Sequence, residues 1–535
     1  MSVVHRRQLR GKDRQRVAEA AESSSPQFVG QQNMADIAPS SLHAGNLTEC
    51  PTTVVVRKAL HGLRRKHQIS DDMTYELMIM KSTLSSCCGD NIKGYIQSIG
   101  VDPFLVVFYL EQQLQYYVKR CKTGALVVHM DCTGSVMRSV PQQKRPYYYA
   151  LVADEGSLPL CEFMTTRHYH AWIMTNVEFF LTHAADVNGG RRITPYCVVV
   201  DFSFAMIHAM LLAFNRCSLT RYLQMAWNNV NSDVTSPFPQ TIVKLCCAHF
   251  VKAAATRLNR CVNRKDIRQA TLVMLCRMQQ CQTLSRAAAV YRAVKQILCS
   301  EVETDAVHAA KGTLLTHSDV EALTTQYPDL CVGDMDTAGV TAVNLRKKSP
   351  FALFFGQLPE HDDVSDMSES AEKLNANHLY SPAAFKVVTD LLPYFPLWSC
   401  VLERRASVTP KVHSNAVVES HFRQLKVTTL RNRTRLRPGE VVRQELTYVR
   451  AKLNHMWLAE AVSGRDTATE KSRGRTGERK RRAGSRQSSA DAYVEKWSRR
   501  RRAAGYSSPT VARRKLLVSD VSGPTTASTA STRDR

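Results

Sequence analysis

Five short apolar runs between residues 125 and 250 constrain the fold more than any other feature of this sequence. ALVVHMD (Ala125 to Asp131) comes first and ends in a carboxylate. PYYYALVAD (Pro146 to Asp154) and LPLCEFMT (Leu158 to Thr165) follow as strand-like runs, and Asp154-Glu155-Gly156-Ser157 at their junction reads as a hairpin turn. HYHAWIMTNVEFFLTHAAD (His168 to Asp186) then changes to helical periodicity. ITPYCVVVD (Ile193 to Asp201) is a buried-strand run that again ends in a carboxylate. FAMIHAMLLAFN (Phe204 to Asn215) reads as a helix, TIVKLCCAHF (Thr241 to Phe250) as a fifth strand, and a helix follows.

The order is β-β-β-α-β-α-β-α. An antiparallel three-stranded meander followed by crossover strands is the order of a ribonuclease H-like mixed sheet, so an α/β core is expected over 123–250. In that order the first and fourth strands lie side by side and parallel. Asp131 and Asp201 would therefore share one edge of the sheet. A mostly helical segment follows and reads as a large all-α insertion over 251–398. The helix SNAVVESHFRQLKVTTL (Ser414 to Leu430) belongs to a returning segment, 399–462. Packed back on the sheet, it would bring Glu419 to the two aspartates.

Such a trio has a chemical use. Phosphodiester cleavage needs an activated water or hydroxyl and a stabilised leaving oxygen, and two Mg²⁺ or Mn²⁺ ions supply both. These hard cations take oxygen ligands, and they cancel the repulsion that raises the pKa of a crowded carboxylate. The plainer reading of each acid also stands at this point. An aspartate at a strand end often forms a turn or caps the next helix, and Asp201 is placed to cap the helix beginning near Ser203.

Cys246 and His249 form a Cys-x-x-His pair at the end of the fifth run. A structural zinc site takes four ligands, and no second pair has matching spacing; Cys276 and Cys281 are five apart on an expected helix. A structural zinc is therefore not expected, and a buried Cys with a polar His at the sheet edge is the simpler account.

Around this core, residues 1–50 are polar and read as mostly disordered, and 51–122 as a helical domain with a possible role in DNA binding. After about Ser463 the composition shifts. The chain carries 72 Lys and Arg against 47 Asp and Glu, a net charge of +25, and residues 471–515 hold about half of it. A disordered basic tail over 463–535 is expected, with RKRRAGSR and SRRRRAAG suited to nuclear import or to DNA phosphates. Strong positive charge points to nucleic acid as partner. The 44% of apolar residues excludes wholesale disorder. The 16 cysteines are scattered, several inside apolar runs, which suits buried thiols in a reducing compartment rather than a disulfide framework. The run Phe202 to Phe214 is too short to span a bilayer, and the basic N-terminus has no apolar segment behind it. A nuclear protein without membrane attachment is expected.

With these residues in view, the chain resembles the transposases of Mutator-like elements and related eukaryotic cut-and-paste transposons. The matching pieces are MDCTGSV around Asp131, VVVDFSFAMIHAMLLAFN around Asp201, CCAHFVK around His249 and SNAVVESHFRQLK around Glu419. The resemblance covers roughly Leu126 to Leu430. It implies a ribonuclease H-like catalytic domain with Asp131, Asp201 and Glu419 as metal ligands for two Mg²⁺ ions. It also implies that Cys246 and His249 support the site or touch DNA near the scissile phosphate, that transposon ends and target DNA are the partners, and that the protein works as a homo-oligomer. Trp398 falls at the end of the insertion and is expected to be a core aromatic. One departure is that the first 50 residues hold only Cys50 and no zinc finger for end recognition. Two other readings of the same acids are a domesticated, non-catalytic DNA-binding protein and a cellular nuclease of the same fold.

Overall fold

The computed structural model describes residues 8–47, 50–66, 68–85, 91–232, 238–315, 349–358, 375–403 and 412–473. The chain divides into two compact units, Met1–Ala461 and Val462–Arg535, and everything below concerns the first. Most of the expected basic tail lies outside the described residues; the last helix, Pro438–Arg473, runs into its start.

At the centre is a seven-stranded mixed sheet. Its strands are β1 (Ile96–Gly100), β2 (Leu105–Phe108), β3 (Val127–Thr133), β4 (Tyr147–Ala153), β5 (Pro159–Thr165), β6 (Cys197–Val200) and β7 (Ile242–Leu245). Their spatial order is β1-β2-β5-β4-β3-β6-β7. The strands β3, β4 and β5 form an antiparallel meander, and β3–β6 and β6–β7 pair in parallel. Strands β5, β6 and β7 are buried throughout and, Glu162 and Lys244 apart, largely apolar, which is why they read as continuous runs rather than alternating ones. The turn between β4 and β5 places Gly156 at φ +72°, a left-handed conformation that glycine adopts without a Cβ clash.

Two strands fall where only helices were expected. Within 51–122 the periodicity of DPFLVVFYLEQQLQYYVKRC suggested one helix from Asp102. The Leu105–Phe108 portion is instead a fully buried strand, and the helix is confined to Glu111–Lys122. Four successive apolar residues suit either element, and here pairing of β2 with the edge of β5 decides it. Residues 1–50, expected to be mostly disordered, contain the helices Gly11–Ser23, Pro26–Ala35 and Pro39–His43. Val17, Ala21 and Val29 from this segment pack with Val56 and Leu60 of the helix Thr53–Lys66, a small core separate from the main one. The apolar positions are too sparse to show as periodicity, yet enough to seat these helices on a neighbour.

After β7 the chain is helical, with Cys247–Cys261, Lys265–Gln279, Leu284–Cys299, Asp305–Leu314, Pro350–Gly356 and Pro382–Leu391. The stretch Pro382–Leu402 is long and apolar enough to cross a membrane by length and composition, but 78% of its most apolar window is buried inside the fold. Its turns at Leu392–Tyr394 and Cys400–Leu402 break it into short pieces. Trp398 lies there, stacked on Phe250 with ring centroids 4.6 Å apart and its indole N–H donated to the Leu391 carbonyl. It is a core aromatic. The described cysteines are all free thiols.

Candidate active site

Strand register sets the first two acids. Met130 pairs with Val200 in the parallel ladder between β3 and β6, so the next residues, Asp131 and Asp201, emerge side by side. Strand β3 does not stop at Asp131 but continues to Thr133, whereas β6 ends at Val200 and Asp201 begins the following turn. With a two-residue side-chain period, His129, Asp131 and Thr133 share one face of β3. Each is engaged from the same later part of the chain. The His129 ring Nδ1 lies 3.4 Å from Asn415 Oδ1, and Lys426 Nζ donates to Thr133 Oγ1 at 2.5 Å.

Asp201 does not act as the cap of the helix Phe204–Asn215. The N-cap position is Ser203, whose backbone N–H donates to the Asp201 carbonyl, while the Asp201 carboxylate faces elsewhere. Its Oδ1 accepts from Asn415 Nδ2 at 2.8 Å and lies 2.8 Å from His249 Nδ1. The other nitrogen of His249 is 3.8 Å from Glu419 Oε1. The imidazole thus stands between Asp201 and Glu419. Glu419 occupies the first turn of the helix Ala416–Gln424, which packs on β3 and β4, and its carboxylate is half exposed. An acid in a helix first turn is favoured by the unsatisfied N–H groups there.

Electrostatics follow from this crowding. Asp131 is only 9% exposed. Burial and the adjacent Asp201 charge hold its carboxyl well above the usual carboxylate range. A 2.6 Å bond from the Cys132 N–H opposes this in part. Burial by itself disfavours a charged His249, but hydrogen bonds to Asp201 and to Cys246 raise its pKa to about 11. Cys246 is fully buried. A hydrogen bond from the Cys247 thiol lowers its pKa most, and with those from His249 and from the Asn415 N–H brings it to about 4 against the opposing effect of burial. Both shifts run the same way, toward a thiolate at Cys246 and a protonated His249.

The donor set suits a hard divalent cation. Two adjacent carboxylates concentrate negative charge, and Mg²⁺ binds through one or two carboxylates with water filling the rest of its shell. Asp201, Cys246 and His249 also bring donor atoms within 4.8 Å of one another. That is three donors where a structural zinc takes four.

Asn415 was not among the residues singled out from the sequence, yet it joins the parts. It is completely buried. Its N–H meets Cys246, its amide meets Asp201 and His129, and its carbonyl accepts from the Glu419 N–H. The available signal was its position just before a helix and four residues ahead of Glu419. Lys426 was missed too; it follows the Glu helix on a single π-helical turn, Leu425–Thr429. Burial lowers the pKa of Lys426, the neighbouring Arg145 adds to that, and Asp131 opposes it.

The segment carrying Asn415 is anchored from below. Lys244 on β7 is buried, bonds the Ser399 carbonyl and lies 3.2 Å from Glu403. His413 reaches the same Glu403 at 3.4 Å, and its carbonyl accepts from the Cys247 N–H.

No family model matches this chain. It is similar to the 120.7 kDa protein in the NOF-FB transposable element of Drosophila melanogaster, with 22% identity over 363 residues. The match takes in 63% of this chain and 32% of that protein, so the chain spans about a third of its relative's length. The similarity indicates an origin related to transposable elements.

Proposed function

We propose that this protein is a DDE-type DNA transposase of the Mutator-like group, with a ribonuclease H-like core, acting in the nucleus as a homo-oligomer on transposon ends and target DNA. The reading is carried by Asp131 and Asp201 following a paired register position, with Glu419, from a distant segment, 3.8 Å from the far nitrogen of the His249 ring that meets Asp201. The meander followed by two parallel strands, and the similarity to a transposable-element protein, support it.

Asp131, Asp201 and Glu419 would hold the metal ions. Divalent Mg²⁺ or Mn²⁺, when bound, supplies activation of the attacking hydroxyl and neutralisation of the leaving oxygen. Asp131, paired with Ala150 of β4 within the sheet, would set the position of the scissile phosphate. His249 spans Asp201 and Glu419, and its protonated ring would offset their charge. Lys426, beside Asp131, offers a cation to a phosphate oxygen. The chemistry would be hydrolysis at the transposon end, followed by attack of the freed 3′-hydroxyl on target DNA.

The test is cleavage and joining of DNA carrying the repeats that flank the chain's own coding sequence, with Mg²⁺ or Mn²⁺, comparing the parent with Asp201→Asn. Metal-dependent cutting and joining, both lost in the variant, is the expected result. Cutting without joining would favour a nuclease. Binding without any cutting by folded protein would favour a domesticated DNA-binding protein.

A further inference from the structure

The residues Arg431, Arg433, Arg435 and Arg437 alternate with Asn432, Thr434 and Leu436 in the loop between the Glu419 helix and the last helix. The structure gives the four arginines two different tasks. Arg433 and Arg437 are partly buried and paired with acids, Arg433 with Glu440 and Arg437 with Glu76 at 2.8 Å. Arg431 and Arg435 are exposed and pair with no carboxylate among the described residues. Arg431 donates only to the Glu22 carbonyl, at 3.0 Å.

The loop is held in this arrangement against its own backbone preference. Arg431, Asn432 and Arg435 have φ of 52°, 58° and 56°, a region that costs non-glycine residues about 1 kcal/mol or more each. Backbone bonds hold it there. The Arg435 and Leu436 N–H groups donate to the Ser135 and Val136 carbonyls, and the Leu436 carbonyl accepts from Arg138. Ser135 and Val136 follow Asp131 by four and five residues, and the Asn432 N–H donates to the Lys426 carbonyl. The loop is thus tied at both ends to the candidate active site. On its far side is a groove of about 590 Å³ that reaches Arg64 and Arg65 on the helix Thr53–Lys66. Eight arginines line it against three glutamates. The Nε of Arg64 is buried without a hydrogen-bond partner among the described residues. Burial, and then Arg433, lowers the Arg64 pKa, against Glu440 and Glu22.

We propose that this groove binds the phosphate backbone of duplex DNA beside the cleavage point, with Arg431 and Arg435 as the contacting residues and Arg433 and Arg437 as the pins that present them. This rests on the DNA reading above and names the path of the substrate. Guanidinium forks match phosphate oxygens in pairs, and a rigid loop loses little freedom on binding. The contact carries no base readout, so it positions the duplex without choosing its sequence.

The test is fluorescence polarisation of the full chain with a 30-base-pair duplex of arbitrary sequence, over a range of NaCl concentrations. Arg431→Gln with Arg435→Gln should lower affinity on the order of tenfold at physiological salt, and should reduce the slope of log affinity against log salt by about 2. Arg431→Lys with Arg435→Lys should restore the slope. Arg191→Gln with Arg221→Gln, exposed arginines removed elsewhere, should change both far less. Equal slopes for parent and Gln variant, equal losses in the Arg191 and Arg221 control, or no DNA binding by the parent would each overturn the proposal. Binding needs no cleavage, so a parent that binds with this slope change but never cuts DNA sinks the transposase reading and leaves the groove standing. A parent that cuts but shows no slope change does the reverse.

Discussion

Asn415 donates a 2.8 Å hydrogen bond to Asp201 across 214 residues of sequence, and the same residue's carbonyl accepts from the Glu419 N–H. One buried residue therefore ties an acid at the sheet edge, through its side chain, to the start of the helix that carries the other acid, through its backbone. Removing its side chain should loosen that tie without touching substrate. Asn415→Ala should slow single-turnover cleavage about 10–100-fold, the range seen when partners of metal-binding residues are lost, with DNA affinity unchanged. Asn415→Asp should be slower still, since a third carboxylate would face Asp201. An Ala variant that cuts at the parent rate would remove the positioning role.

Asp131 and Asp201 repel each other in the absence of a cation, so activity and stability should move in opposite directions. Asp131→Asn should abolish cleavage and raise Tm in metal-free buffer at pH 7. Added Mg²⁺ should raise the Tm of the parent, because a ligand that binds only the folded state stabilises it, and should do little for the variant. Differential scanning fluorimetry with and without EDTA reads both effects.

The Lys244–Glu403 pair is buried on both sides, and His413 shares it. Lys244→Met would leave the Glu403 charge without its main partner, and breaking such a pair costs about 3–5 kcal/mol. Denaturant unfolding should show that loss, whereas Lys244→Met combined with Glu403→Gln should recover part of it. A double variant no better than the single would argue against charge as the cause.

A second buried cluster gives a pH prediction. Glu445 is fully buried with neither carboxylate oxygen hydrogen-bonded among the described residues, near Glu162, which accepts from Tyr148 at 2.5 Å and lies 3.1 Å from His421. Burial, then the Glu162 charge, raises the Glu445 pKa well above the ordinary range. A carboxyl raised in the folded state contributes stability that is complete below its unfolded pKa, about 4.3, and is lost as pH rises through the folded value. Thermal melts should therefore fall in Tm from pH 5 upward for the parent. Glu445→Gln should flatten that slope and stand above the parent at pH 8. Parallel curves for the two proteins would contradict it.

The β-strands that carry Asp131 and Asp201 were readable because burial on both faces leaves unbroken apolar runs, and a parallel neighbour relation follows from their order. The Asp154–Ser157 turn was readable from its glycine. Strands β1 and β2 were not, since LVVF is too short to separate from the helix beside it until β5 offers an edge. The closeness of Cys246 and His249 to Asp201 was legible from their place at the sheet edge, but their bonds to it were not, because the spacing alone also fits half a zinc site. Asn415 and the Arg433–Glu440 and Arg437–Glu76 pins could not be read at all. Their partners are set by how distant segments dock, and an asparagine before a helix has many commoner uses.

The route of the chain has a consequence for when the protein becomes active. A ribosome exposes Asp131 and Asp201 early, and all seven strands of the sheet that aligns them have emerged once β7 has. Glu419 arrives only after the long helical excursion has been made and the Lys244–Glu403–His413 anchor has closed beneath Asn415. On the proposed reading, a chain that ends before this point has neither the third acid nor the arginine loop of residues 431–437 that follows it, so an incomplete copy can neither cut DNA nor hold it in that groove.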